Sequence, residues 1–130
     1  MGNNNANPKT YNQIKKFSTL YPPALKFLAE YRNSNDIPFL LQQGKESFFA
    51  ISVFPDPAFW DLLIQYQSSE LSIPYFSAIA SYKNNDAINI LNKLYLKCND
   101  IQMIREFDKI LIEHYCTIYQ DLILKIWEDY

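Results

Sequence analysis

Apolar residues recur at helical spacing along most of the chain, and the longest such run, Ile101 to Tyr130, contains neither Gly nor Pro. Placed about 100° apart, Ile104, Phe107, Leu111, Tyr115, Ile118, Leu122 and Ile126 share one stripe. Ile112, Tyr119, Ile123, Trp127 and Tyr130 widen it past half the circumference. The pattern predicts one long C-terminal helix wrapped by its neighbours. The arc left to solvent carries Gln102, Glu106, Glu113, Thr117, Gln120, Asp121 and Glu128, a mostly acidic strip.

Upstream, Tyr11, Ile14, Phe17 and Leu20 or Tyr21 mark an amphipathic helix over Lys9–Leu20 that Pro22-Pro23 ends. Pro23 suits the first turn of a second helix, where its missing amide costs nothing; Leu25, Phe27, Leu28 and Tyr31 form its inner face. Asp36-Ile37-Pro38 reads as a third start, with the Asp36 side chain as the cap. Gly44 suits a left-handed helix end. Ser47–Phe54 fits a buried strand or a buried helix. Helix is preferred because the rival strand, Leu71–Phe76, is interrupted by Pro74. Asp56-Pro57, Ser69 or Ser72, Asp86 and Asn99-Asp100 open further helices. Asp36-Ile37-Pro38-Phe39 and Ser72-Ile73-Pro74-Tyr75 echo each other, which reads as a common way to begin a helix rather than as a repeat.

The expected class is therefore all-α: a compact domain over residues 9–130, with about six or seven short helices packed on a long C-terminal helix. An asparagine-rich leader, residues 1–8, precedes it. The alternative is an α+β domain with a strand at 47–54. A chain of 130 residues with 48% hydrophobic and 16% aromatic residues has material for one core. Two glycines, Gly2 and Gly44, are too few for tight hairpins, phosphate loops or dinucleotide fingerprints.

The net charge of −2 argues against a generic nucleic-acid binder. Its distribution is uneven: residues 1 to 50 carry six Lys or Arg against three Asp or Glu, whereas residues 100 to 130 carry three against seven. The acidic end is the better surface for a basic partner. No run approaches the roughly 18 apolar residues of a membrane span, and the opening lacks the apolar core of a secretory signal. Cys98 and Cys116 read as reduced thiols of a cytoplasmic protein.

Candidate chemistry is thin. His114 and Cys116 lie about 200° apart on a helix, so they cannot share a metal or form a nucleophile–base pair; His114 is expected at the surface. Glu106, Glu113 and Asp121 read as a solvated strip that a partner can face. Asp108 falls inside the apolar stripe, and Arg105 or a tyrosine hydroxyl is its expected partner. No catalytic residue, metal or cofactor is assigned. Tyr11, Tyr21, Tyr66, Tyr82 and Tyr130 are expected at the surface, where an apolar body with a polar tip suits an interface.

These features predict a non-catalytic protein-binding module, an acidic inhibitor or immunity-type protein that neutralises a basic partner protein. The expected contact residues are Glu106, Glu113, Thr117, Gln120, Asp121 and Glu128. The alternative is a nucleic-acid-associated or N-myristoylated membrane adaptor using Lys9, Lys15 and Lys16 beside Gly2. Tyr21-Pro22-Pro23 with Phe27-Leu28, and Ile73-Pro74 with Ile79-Ala80, resemble scattered pieces of the SUKH immunity superfamily. The chain lacks that family's glycine pair and departs from it in its final helix, so it is not identified as a member.

Overall fold

The computed structural model describes residues 8–130 and is all helical. In order the α-helices are α1 (Pro8–Ser18), α2 (Leu25–Ala29), α3 (Ile37–Gln42), α4 (Phe48–Ile51), α5 (Trp60–Gln65), α6 (Ile73–Ala80), α7 (Asn85–Lys97), α8 (Ile101–Glu113) and α9 (Gln120–Asp129). Short 3-10 turns lead into α2, α3, α4, α5 and α9. The leader expected over residues 1–8 lies outside the described residues except for Pro8, which begins α1.

The molecule is built around α6 rather than around its C-terminus. Tyr75, Phe76, Ala78, Ile79 and Ala80 are fully buried, and α6 touches α4, α5, α7 and α8. A helix apolar on every side must be enclosed in this way. Tyr75 donates to Leu63 O at 2.8 Å, and Ser81, just beyond α6, shares its hydroxyl proton between Ala78 O at 2.6 Å and Ile51 O at 3.2 Å. These bonds satisfy buried polar groups while tying α5 and α4 to the centre. Ser47–Phe54 is helical: the 3-10 turn Gly44–Ser47 runs into α4, whose Phe48, Ala50 and Ile51 are buried. Gly44 takes the left-handed conformation, at φ +59°.

The expected single helix over 101–130 is two. α8 ends at Glu113 with His114 as its C-cap, Cys116 is extended at φ −151°, ψ 163°, and α9 starts after the turn Thr117–Tyr119. Thr117 and Ile118 are β-branched and weaken a helix there. The decisive gain is tertiary. Fully buried Tyr119 donates its hydroxyl to Ala80 O at 2.7 Å and accepts from Lys83 N at 3.1 Å. A straight rod would carry Tyr119 away from α6, so the chain turns and α9 folds back beside α8.

Asp36 does not cap α3 with its side chain. Asn33 instead accepts from Asn35 N at 3.0 Å. Two caps stand where the sequence places them: Asp56 accepts from Ala58 N at 2.9 Å and Asp100 from Gln102 N at 2.9 Å. Ser72 precedes α6 without a side-chain cap bond, and Asn84 rather than Asp86 caps α7, accepting from Ala87 N at 2.8 Å.

Candidate functional site

The break between α8 and α9 divides the acidic strip. Glu106 and Glu113 stay on α8, where they line a cleft of about 210 Å³ together with Lys26 and Lys109. Two carboxylates beside two ammonium groups leave little local excess of negative charge. Thr117, Gln120, Asp121 and Glu128 belong to the α9 side and are all exposed. Asp121, Leu124 and Glu128 follow one another at three- and four-residue spacing, which sets them in a row along the outer face of α9. Its inner face is Leu122, Ile123 and Ile126.

The end of α8 and the joint expose Ile112, Tyr115 and Ile118, residues the straight-helix pattern assigns to the stripe that neighbours cover. Their exposure follows from the turn. Once Tyr119 is pulled inward, Tyr115 and Ile118 are left outside; the β-branched pair Thr117-Ile118 is the sequence signal that points to it. Of the tyrosines expected at the surface, Tyr21 and Tyr130 are exposed, whereas Tyr11, Tyr66 and Tyr82 are half-buried.

Asp108 is held by neither Arg105 nor a tyrosine. Trp127 Nε1 donates to its two carboxylate oxygens at 3.2 and 3.1 Å across α8 and α9. His114 is not a free surface side chain either. It is half-buried, and its Nε2 lies 3.1 Å from Ser77 Oγ on α6, a residue that also lines the Glu106–Glu113 cleft. Burial, then the ammonium of Lys83, lowers the imidazole pKa; Glu113 opposes them and Lys26 adds to the fall. The hydroxyl and the ring nitrogen share one hydrogen bond, whose donor is set by the imidazole tautomer. Among the described residues no other hydrogen bond orients that ring.

At the opposite end of the chain Asp36, only 3% exposed, accepts from Tyr11 Oη and, at 3.0 Å, from Lys15 Nζ. Asn33 Nδ2 donates to Tyr11 Oη at 3.2 Å, and Lys15 Nζ lies 4.9 Å from the centre of the Phe39 ring. This node fastens α1 to the turn before α3. The outer side of α1 is left uncovered. With the turn into α2 it forms an apolar groove of about 450 Å³, lined by Ile14, Phe17, Tyr21, Ala24 and Phe27 with Thr10 and Gln13 at one end.

No helix among the described residues is long and apolar enough to cross a membrane. No protein-family model, no curated protein and no solved structure matches this chain.

Proposed function

We propose that this chain is a non-catalytic protein-binding module, an acidic inhibitor or immunity-type protein of the cytoplasm. The outer face of α9 and the α8–α9 joint receive a basic partner protein. One observation carries this reading: an exposed row of Asp121, Leu124 and Glu128 on α9, with exposed Ile118 and Tyr115 in the joint that leads into it. Apolar surface supplies the association, and flanking carboxylates select and steer a cationic counterpart. Thr117 and Gln120 add hydrogen-bonding groups at the rim. Glu106 and Glu113, beside Lys26 and Lys109, take the smaller share.

Ser77 and His114 are read as a packing bond between α6 and the end of α8. Ser77 sits within a helix, and no third group orients the imidazole as a nucleophile's base requires. Cys98 and Cys116, both free thiols, suit a reducing compartment.

The test is capture of a basic partner from the native extract by the tagged full chain. The double reversal Asp121→Lys, Glu128→Lys is expected to reduce capture at least about tenfold, and rising salt to weaken it. Both positions are exposed, so circular dichroism should be unchanged. Equal capture by both proteins would sink the reading.

A further inference from the structure

The first twenty-nine residues contain four lysines and no Asp or Glu. On the folded surface this acid-free stretch also carries exposed Phe17, Leu20, Tyr21 and Phe27. Leu20, at 77% exposure, stands on the turn after α1, and Phe27, at 61%, stands on α2. Lys16 lies one helical turn before Leu20, exposed and without an ion pair among the described residues; Lys26, adjacent to Phe27 and also exposed, shares a cleft with Glu106 and Glu113. Lys15 is different, because Asp36 holds it.

We propose that this end of the molecule, α1 with the turn into α2, docks on an anionic lipid surface. Leu20 and Phe27 enter the boundary between headgroups and acyl chains. Phe17 and Tyr21 sit at headgroup level, and Lys16 and Lys26 meet the lipid phosphates and carboxylates. Bulky apolar side chains flanked by lysine make up the composition of an interfacial anchor. An acidic helix would meet the same charge. It would favour a seam recessed between two walls, however, whereas Leu20 lies outside the groove and projects. Burying projecting side chains from several elements at once requires a surface that yields around them, as lipid does.

The surface is separate from the α9 face, so each can fail alone. Glu30, one turn after Phe27 and exposed, is the nearest carboxylate in sequence. Its repulsion from anionic lipid should limit affinity.

The experiment is co-sedimentation of the full chain with phosphatidylcholine vesicles with and without phosphatidylserine, at low and high salt. Binding should require phosphatidylserine and fall with salt. Lys16→Gln should weaken it about fivefold, the effect of one charge near such a surface, and Lys26→Gln by less, because Glu106 and Glu113 share its cleft. The double variant Leu20→Ser, Phe27→Ser should abolish it without altering the circular dichroism spectrum, because both side chains are exposed. Glu30→Gln should strengthen it. Binding that ignores lipid charge, or that survives the Leu20 and Phe27 changes, overturns the proposal. So does a lack of vesicle binding; binding to an acidic amphipathic peptide in its place would assign the surface to a protein helix.

Discussion

Trp127 Nε1 donates across the α8–α9 crossing to Asp108, at 3.1 and 3.2 Å from its two carboxylate oxygens. The bond joins helices that the apolar periodicity alone would run together, and it holds an exposed indole against the mouth of a groove formed with Ile101, Ile104 and Tyr130. A hydrogen bond to a charged acceptor is worth about 1.5–3 kcal/mol when water is excluded. Trp127 is 55% exposed, which places this one at or below the lower end. Asp108→Ala is expected to lower stability by about 1 kcal/mol, seen as a fall in Tm of about 4 °C. The indole N–H resonance of Trp127 should move while that of Trp60 stays. An unchanged Tm and an unmoved resonance would mean that the contact contributes nothing.

Features decided within a few residues are legible in the sequence. Asp56 and Asp100 cap amides two positions ahead, and such bonds need nothing from the rest of the fold. Prolines 38, 57 and 74 sit at or just inside helix starts for the same local reason. The α6 segment was also readable in one respect. Its near-continuous apolar run after Pro74 marks an element enclosed on all sides, which a stripe-based search for amphipathic helices passes over. What periodicity hides is set at a distance. Tyr119 finds its partners 39 and 36 residues back, at Ala80 and Lys83, and those bonds break the C-terminal run. Asp36 spends its carboxylate on Tyr11 and Lys15, 25 and 21 residues back, rather than on its own helix. The strip chosen as a docking face was cut by the first of these long-range bonds. That is why only its α9 half, with Leu124 and Ile118 added, stands as one surface.

The Asp36 node should dominate both the stability of the α1 end and its response to alkali. Asp36→Ala removes a buried acceptor from Tyr11 and from Lys15. Lys15 is about a third exposed, so water screens its part, and the expected loss is about 2 kcal/mol by denaturant unfolding. Burial first, and the hydrogen bond and charge of Asp36 next, push the Tyr11 pKa up to about 12. The folded state therefore keeps this proton after the unfolded chain has released it, near pH 10. Stability from this group is present below pH 10 and is lost as pH rises from there through about 12. Tyr11→Phe should flatten the fall in unfolding free energy measured between pH 9 and 11. An equally steep fall would assign the whole alkaline response to Tyr75, Tyr82, Tyr95 and Tyr119, whose pKa values burial also raises.

His114 sets the acid side. Burial and Lys83 disfavour its charged form, so its folded pKa lies below the ordinary value of 6.5. Between those two values the unfolded chain binds the proton and the folded chain does not, so stability rises with pH across that window and falls as the medium is acidified through it. Protonation makes Nε2 a donor to Ser77 Oγ, so the contact between the end of α8 and α6 persists and the acid-side loss comes from burying the charge near Lys83. Ser77→Ala is expected to destabilise the protein by about 1 kcal/mol near neutral pH. His114→Gln should remove this group's pH dependence, read as the slope of unfolding free energy against pH from 5 to 7. Hydrogen exchange should localise the change: amides around Cys116 and Thr117 should open faster at pH 5 than intrinsic rates account for, and those within α6 should not. A slope unaltered by the substitution would show that His114 titrates alike in both states and that the joint is insensitive to its charge.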